Sequence, residues 1–85
     1  MAPKITIYTT TTCPFCKMEK DYLNSKNLQF DEILVDQNPE EAQKMIALSG
    51  QMGVPFTVIE KEDGQKVFIL GFDRPKIEEA LGFGS

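Results

Sequence analysis

Histidine is absent from the 85 residues, cysteine occurs only twice, and positive charge is in the minority, with nine Lys and Arg against thirteen Asp and Glu. Without histidine or a second cysteine pair, an intrachain tetrahedral zinc site is short of its usual ligands, so no bound metal is expected. The net charge of -4 and a sequence pI near 4.7 leave no electrostatic footprint for nucleic acid. No apolar run approaches the roughly 20 residues of a membrane span. Residues 1–4 do not lead a basic start into a long apolar stretch either, and the expectation is a cytoplasmic protein without membrane contact. Repeats, low-complexity tracts and interdomain linkers are missing as well. A chain of this length has room for one domain, over residues 1–85, and a monomer is expected.

The two cysteines do not form a staple. Cys13 and Cys16 would close a ring of about four residues, contributing about 1.9 kcal/mol by loop-closure entropy, against about 3 for a 15-residue loop. Disulfide-scaffolded small domains carry four or more cysteines spread along the chain. Redox chemistry is what remains.

Hydrophobic patterning gives the scaffold. The β-branched and aromatic run from Ile5 to Thr9 predicts a short buried strand. Pro14 at a first helical position, followed by Phe15, Met18, Tyr22 and Leu23 at helical spacing, predicts a helix over 14–26 with Asn27 as its stop. Strand character returns over 30–35. Asn38 as N-cap, Pro39 and the acidic pair Glu40 and Glu41 announce a second helix with Ala42, Met45 and Ile46 on its apolar face, ended by Gly50. Strands over 56–60 and 66–70 flank a Glu62-Asp63-Gly64 turn and should pair as a hairpin. A last helix over 74–81 precedes a frayed 82–85. The order β-α-β-α-β-β-α predicts an α/β fold, a four-stranded mixed sheet flanked by three helices, its first two strands joined by a crossover.

Against that scaffold the cysteine pair follows a strand and opens a helix, the context of thioredoxin-like redox sites. A thiolate at Cys13 would face free backbone N–H groups and the positive end of the helix dipole, with Lys17 nearby. Cys13 is therefore the expected attacking sulfur. Cys16, inside the first turn, is the expected resolving thiol that breaks the mixed disulfide. Glu19, three residues on, is a candidate acceptor for the Cys16 proton. The plainer reading, which the sequence favours, is a solvated carboxylate paired with a lysine such as Lys20.

Tyr8, Thr12, Cys13-Pro14-Phe15-Cys16, Val54-Pro55 and Gly71-Phe72-Asp73 together resemble the glutaredoxin family of the thioredoxin fold, over nearly the whole chain. The resemblance implies a dithiol oxidoreductase with no tightly bound cofactor, reducing protein disulfides or glutathione-mixed disulfides, with glutathione as co-substrate. It also implies a cis Val54-Pro55 bond beside the reactive sulfurs, with the Val54 backbone pairing to the bound thiol. Thr12, Phe15, Gly71, Phe72 and Asp73 complete the implied substrate site. Phe72 reads equally as core, and Asp73 as a cap of the last helix.

Two positions depart from the glutathione-dependent pattern: Thr10 stands where a lysine is usual, and Leu70-Gly71 where a Gly-Gly pair is; Gln51 stands at the position where an arginine or glutamine is usual. Charge-assisted contacts are about twice as strong as neutral ones, so an acidic chain without that lysine should hold an anionic tripeptide less well. Gly71-Phe72 followed by Arg74-Pro75 is similar to the NrdH-type redoxins, which donate electrons to ribonucleotide reductase and are themselves reduced by thioredoxin reductase. An iron–sulfur scaffold and a redox-inert interaction domain are the competing classes; Pro14 and Cys16 depart from the Gly-containing, single-cysteine motif of such scaffolds.

Overall fold

The run predicted as a buried strand forms β1 (Lys4–Thr9), and its alternation sends Ile5, Ile7 and Thr9 to one face and Tyr8 to the other, all of them buried. Burial on both faces requires a central strand. The computed structural model, which describes residues 3–50 and 53–82, places β1 inside a four-stranded sheet of order β2-β1-β3-β4. β2 (Asp31–Leu34) lies parallel to β1, and the crossover between them carries α1 (Pro14–Ser25). β3 (Phe56–Glu60) and β4 (Lys66–Leu70) form the predicted hairpin. Its turn is closed by the Gly64 N–H donating to Lys61 O at 3.0 Å and the Gln65 N–H donating to Asp63 Oδ1 at 3.0 Å. The antiparallel pairing of β1 with β3, left open by the sequence, joins the parallel pair to the hairpin in one mixed sheet.

Two apolar layers sandwich the sheet. On one side Leu23 of α1 and Ile77 of α3 (Arg74–Leu81) meet Ile5, Ile7, Ile59 and Ile69. On the other, Ala42 and Met45 of α2 (Pro39–Ser49) meet Tyr8, Val35 and Phe56. α2 covers only part of its face, leaving Leu48 on the helix and Phe68 and Leu70 on β4 exposed.

α1 is rotated from its predicted face, whereas α2 buries Ala42 and Met45 as predicted. Phe15 and Met18 are exposed, and the inward stripe of α1 is Cys16, Glu19 and Leu23. At about 100° per residue these three fall within about 60° of one another, while Phe15 and Met18 lie at least about 100° from Cys16. On α2, Ile46 sits at the rim of the buried stripe and is exposed. Asn38 occupies the N-cap position of α2, yet its side chain makes no capping hydrogen bond. α1 ends at Ser25, one residue short of the prediction, with Asn27 at φ 57 behind it. β2 is trimmed by a residue at each end. Gly50, at φ 80, closes α2 in the left-handed conformation that glycine adopts without penalty. Of the segment predicted to fray, Gly82 caps α3, and 83–85 lie outside the described residues. Among the described residues, no helix is long and apolar enough to cross a membrane.

Candidate active site

Strand register gathers the sequence-predicted residues at one end of the sheet. Tyr8 pairs with Phe56 and Phe56 with Leu70, while Thr9 pairs with Leu34. The loop after β1 that leads to Cys13, the Val54-Pro55 step before β3 and Gly71 after β4 therefore share that end. The Gly71 N–H donates to Pro55 O at 2.8 Å, joining two of these segments directly. A second tie comes from the end of β2, where Asp36 Oδ2 accepts the Thr11 N–H at 3.1 Å and the Thr11 hydroxyl at 2.7 Å. Those two bonds hold the Asp36 carboxyl below the usual carboxylate range.

Cys13 is the N-cap of α1, with extended backbone angles, and its Sγ accepts the Cys16 N–H at 3.2 Å. A cap residue accepts from the third residue into the helix, which is why a Cys-x-x-Cys spacing presents one donor of the first turn to the leading sulfur. Pro14, lacking an N–H, fills the first helical position without leaving a donor unpaired. Both cysteines are free thiols; Cys13 is half-buried and Cys16 is only 1% exposed. Burial, and then the hydrogen bond with Cys13, push the Cys16 thiol up to about 12, and the neighbouring Glu19 charge acts in the same direction. A cleft of about 910 Å³ opens beside Cys13, lined by Thr10, Thr12, Lys17, Lys20 and Leu34 among others.

Glu19 corrects the reading favoured by the sequence. It is not a solvated partner of Lys20: its side chain is fully buried. Thr57 of β3 donates its hydroxyl to Glu19 Oε2, while Oε1 has no hydrogen-bond partner. Burial lifts the carboxyl to about 7, against the opposing influence of the Thr57 bond. The cause is the rotation of α1, which turns position 19 inward with Cys16 and Leu23. Lys20, about 100° further round, instead meets Glu32 Oε2 at 2.6 Å. That same oxygen accepts the Thr9 hydroxyl at 2.8 Å.

The remaining candidates divide. Thr12 and Phe15 are exposed near Cys13, and Phe15 keeps 58% of its surface free. The Val54-Pro55 bond is cis, with Val54 half-buried and Pro55 buried. Phe72 packs against the core, its ring 6.0 Å from that of Tyr22. Asp73 caps α3, accepting the Lys76 N–H at 3.3 Å. Gln51 lies outside the described residues. Sequence reasoning missed Thr57 and Asp36. Thr57 had a signal in the alternation of β3, which puts position 57 on the same face as Ile59; Asp36, in the turn after β2, had none. Among the described residues, no group of three or more His, Cys, Asp or Glu is arranged to hold a metal ion.

Comparison with known proteins adds an independent line. The glutaredoxin family model matches residues 5–63. An uncharacterised glutaredoxin-like 8.6 kDa protein of the rubredoxin operon of Clostridium pasteurianum is 42% identical over 77 residues, covering 91% of this chain and 96% of that one. Glutaredoxin 3 of Escherichia coli is 38% identical over 58 residues, 68% of this chain and 70% of its own length. Among solved structures, the glutaredoxin-like NrdH-redoxin of Escherichia coli, described for its thioredoxin-like activity profile, superposes with a TM-score of 0.75 at 29% identity, covering 89% of this chain and 92% of its own.

Proposed function

The chain belongs to the glutaredoxin family, and from that membership we propose that it is a cytoplasmic, single-domain, monomeric thiol-disulfide oxidoreductase acting through Cys13 and Cys16. The observation that carries this reading is the asymmetry of the pair: the Cys13 sulfur sits at a helix N-terminus and receives the Cys16 N–H, while Cys16 is buried behind it. The Cys13 thiolate attacks one sulfur of a substrate disulfide, breaking the S–S bond and expelling the first thiolate. Cys16, once deprotonated, attacks Cys13 Sγ, releases the second substrate thiolate, and leaves the two cysteines joined. Two electrons pass from the protein to the substrate, and a reductant restores the dithiol. The substrates are protein disulfides and glutathione-mixed disulfides, held by Val54, Pro55 and Gly71 at the rim and by Thr12, Phe15 and Asp73. Phe72, packed on Tyr22, shapes that wall from behind.

A second reading concerns the electron source: an NrdH-type donor to ribonucleotide reductase, recharged by thioredoxin reductase. It is favoured by Thr10, which stands on the cleft beside Cys13 at the position where glutathione-dependent relatives usually offer a lysine, and by the likeness to NrdH-redoxin. The test presents the oxidised protein with glutathione plus glutathione reductase, and separately with NADPH plus thioredoxin reductase. Turnover by one system alone, lost in Cys13→Ser, assigns the branch. Turnover by neither overturns the oxidoreductase reading.

A further inference from the structure

We propose that Glu19, held in place by Thr57, is the base that takes the proton from Cys16 when Cys16 resolves the mixed disulfide. The inference rests on the dithiol reading above and assigns the proton transfer which that reading requires.

The geometry is that of a base kept waiting. Cys16 and Glu19 lie three residues apart on the inward stripe of α1, the spacing that places Cβ atoms about 5–6 Å apart, and both are essentially inaccessible to solvent. The Cys16 thiol therefore loses its proton inside the protein. Burial is the largest influence raising the Cys16 thiol, and it persists when Cys13 is tied up in the mixed disulfide, so spontaneous ionisation at neutral pH supplies little of the attacking thiolate. Glu19 offers one oxygen. The Thr57 hydroxyl occupies Oε2, and Oε1 is buried with no partner. An orphaned acceptor of this kind costs free energy unless another group uses it.

The surroundings leave the carboxyl free to change charge. Thr57 of β3 is bonded to it, and the layer that receives α1 through Leu23 is apolar, made of Ile5, Ile7, Ile59, Ile69 and Ile77. The Thr9 hydroxyl is already committed to Glu32, whose charge is matched by Lys20 at 2.6 Å. Besides Cys16, the titratable groups at hand are Cys13 at the helix cap and this Lys20–Glu32 pair. Glu19 itself responds to burial, which lifts it to about 7, and to the Thr57 bond, which lowers it. A carboxyl titrating there is a base matched to neutral pH.

The step balances. With Cys13 in mixed disulfide, the Glu19 carboxylate accepts the Cys16 proton; the Cys16 thiolate forms a bond to Cys13 Sγ as the Cys13–substrate S–S bond breaks. The departing thiolate takes up a proton, and Glu19 returns its own to solvent as the dithiol is regenerated.

The test uses 2,2′-dithiodipyridine as oxidant, so that it does not depend on the physiological substrate. Attack by Cys13 releases one equivalent of thiopyridone, and resolution by Cys16 releases the second. In the wild type, the second phase accelerates as pH rises through about 7. Glu19→Gln is expected to slow that phase on the order of 100-fold at pH 8 and remove the inflection, with the first phase unchanged. Thr57→Val, which removes the bond that lowers Glu19, is expected to move the inflection to higher pH. A bystander carboxylate gives the opposite result: deleting its charge eases Cys16 ionisation, so a second phase unchanged or faster in Glu19→Gln overturns the proposal. Should Glu19→Gln fail to fold, an inflection that stays in place in Thr57→Val overturns it alone. Failure with both reductase systems strikes the functional reading, while the two phases still report on Glu19.

Discussion

The Tyr22 hydroxyl donates to Glu78 Oε2 at 2.7 Å, fastening α1 to α3 across 56 positions of sequence. Arg74 completes the clasp, its guanidinium carbon 4.7 Å from the centre of the Tyr22 ring and its Nη2 3.7 Å from Glu78. Since α1 carries Cys16 and is capped by Cys13, this clasp fixes the helix that bears the cysteine pair against the rest of the layer. Tyr22→Phe keeps the ring and its contact with Phe72 but loses the hydrogen bond. It is expected to cost about 1 kcal/mol, read as a lower denaturation midpoint in urea at unchanged slope.

Glu19 makes stability depend on pH in an unusual direction. The carboxyl binds its proton at about 7 in the folded chain, against an ordinary 4.5. Its contribution is therefore fully present below about pH 4.5 and is lost as pH rises to 7, because over that interval the folded state holds the proton more tightly than the unfolded one. Glu19→Gln, neutral throughout, is expected to be more stable than the wild type above pH 7 by about 3 kcal/mol, with the difference vanishing near pH 4. Thermal unfolding of the two proteins across that range checks it.

The thiols should be chemically distinct. Cys16, at 1% exposure and raised to about 12, is protected both by access and by ionisation. Iodoacetamide at pH 8 is expected to modify Cys13 alone, giving one added group by mass spectrometry; Cys16 should react only after denaturation.

Asp36 positions the loop that presents Cys13. Its carboxyl, held low by Thr11, keeps this pair of bonds at neutral pH and loses it on acidification through its depressed folded value. Asp36→Ala is expected to slow the first thiopyridone release severalfold at pH 7 with little change in Tm. Asp36→Asn, whose amide oxygen still accepts from Thr11, should lie between the two. Stopped-flow measurement of the first phase distinguishes them.

Much of the fold was legible in the sequence because proline, glycine and β-branched runs act locally. Pro14, Pro39 and Gly50 mark helix ends where the structure has them, and the hairpin follows from Glu62-Asp63-Gly64 between two strand-like runs. The helix faces were less legible, because packing decides them. On α1 the aromatic Phe15 and the thioether of Met18 outweigh Cys16 and Glu19 in any hydrophobicity pattern, yet the sheet receives Cys16 and Glu19. A glutamate is almost always read as solvated, and only Thr57, 38 positions away, makes its burial intelligible. The Thr11–Asp36 tie, spanning 25 positions, is equally invisible without the parallel pairing of β1 and β2.

The register that sets Phe56 opposite Tyr8 has a consequence for the nascent chain. Cys13 leaves the ribosome early, but Pro55 and Gly71, which complete its surroundings, are synthesised some 42 and 58 residues later. Until β3 slots in beside β1, the two cysteines lack the neighbours that the finished sheet end brings to them. On the proposed dithiol reading, the site is complete only with the long-range pairing that finishes the sheet, so products truncated before β3 are expected to carry the cysteine motif without Pro55 and Gly71 beside it.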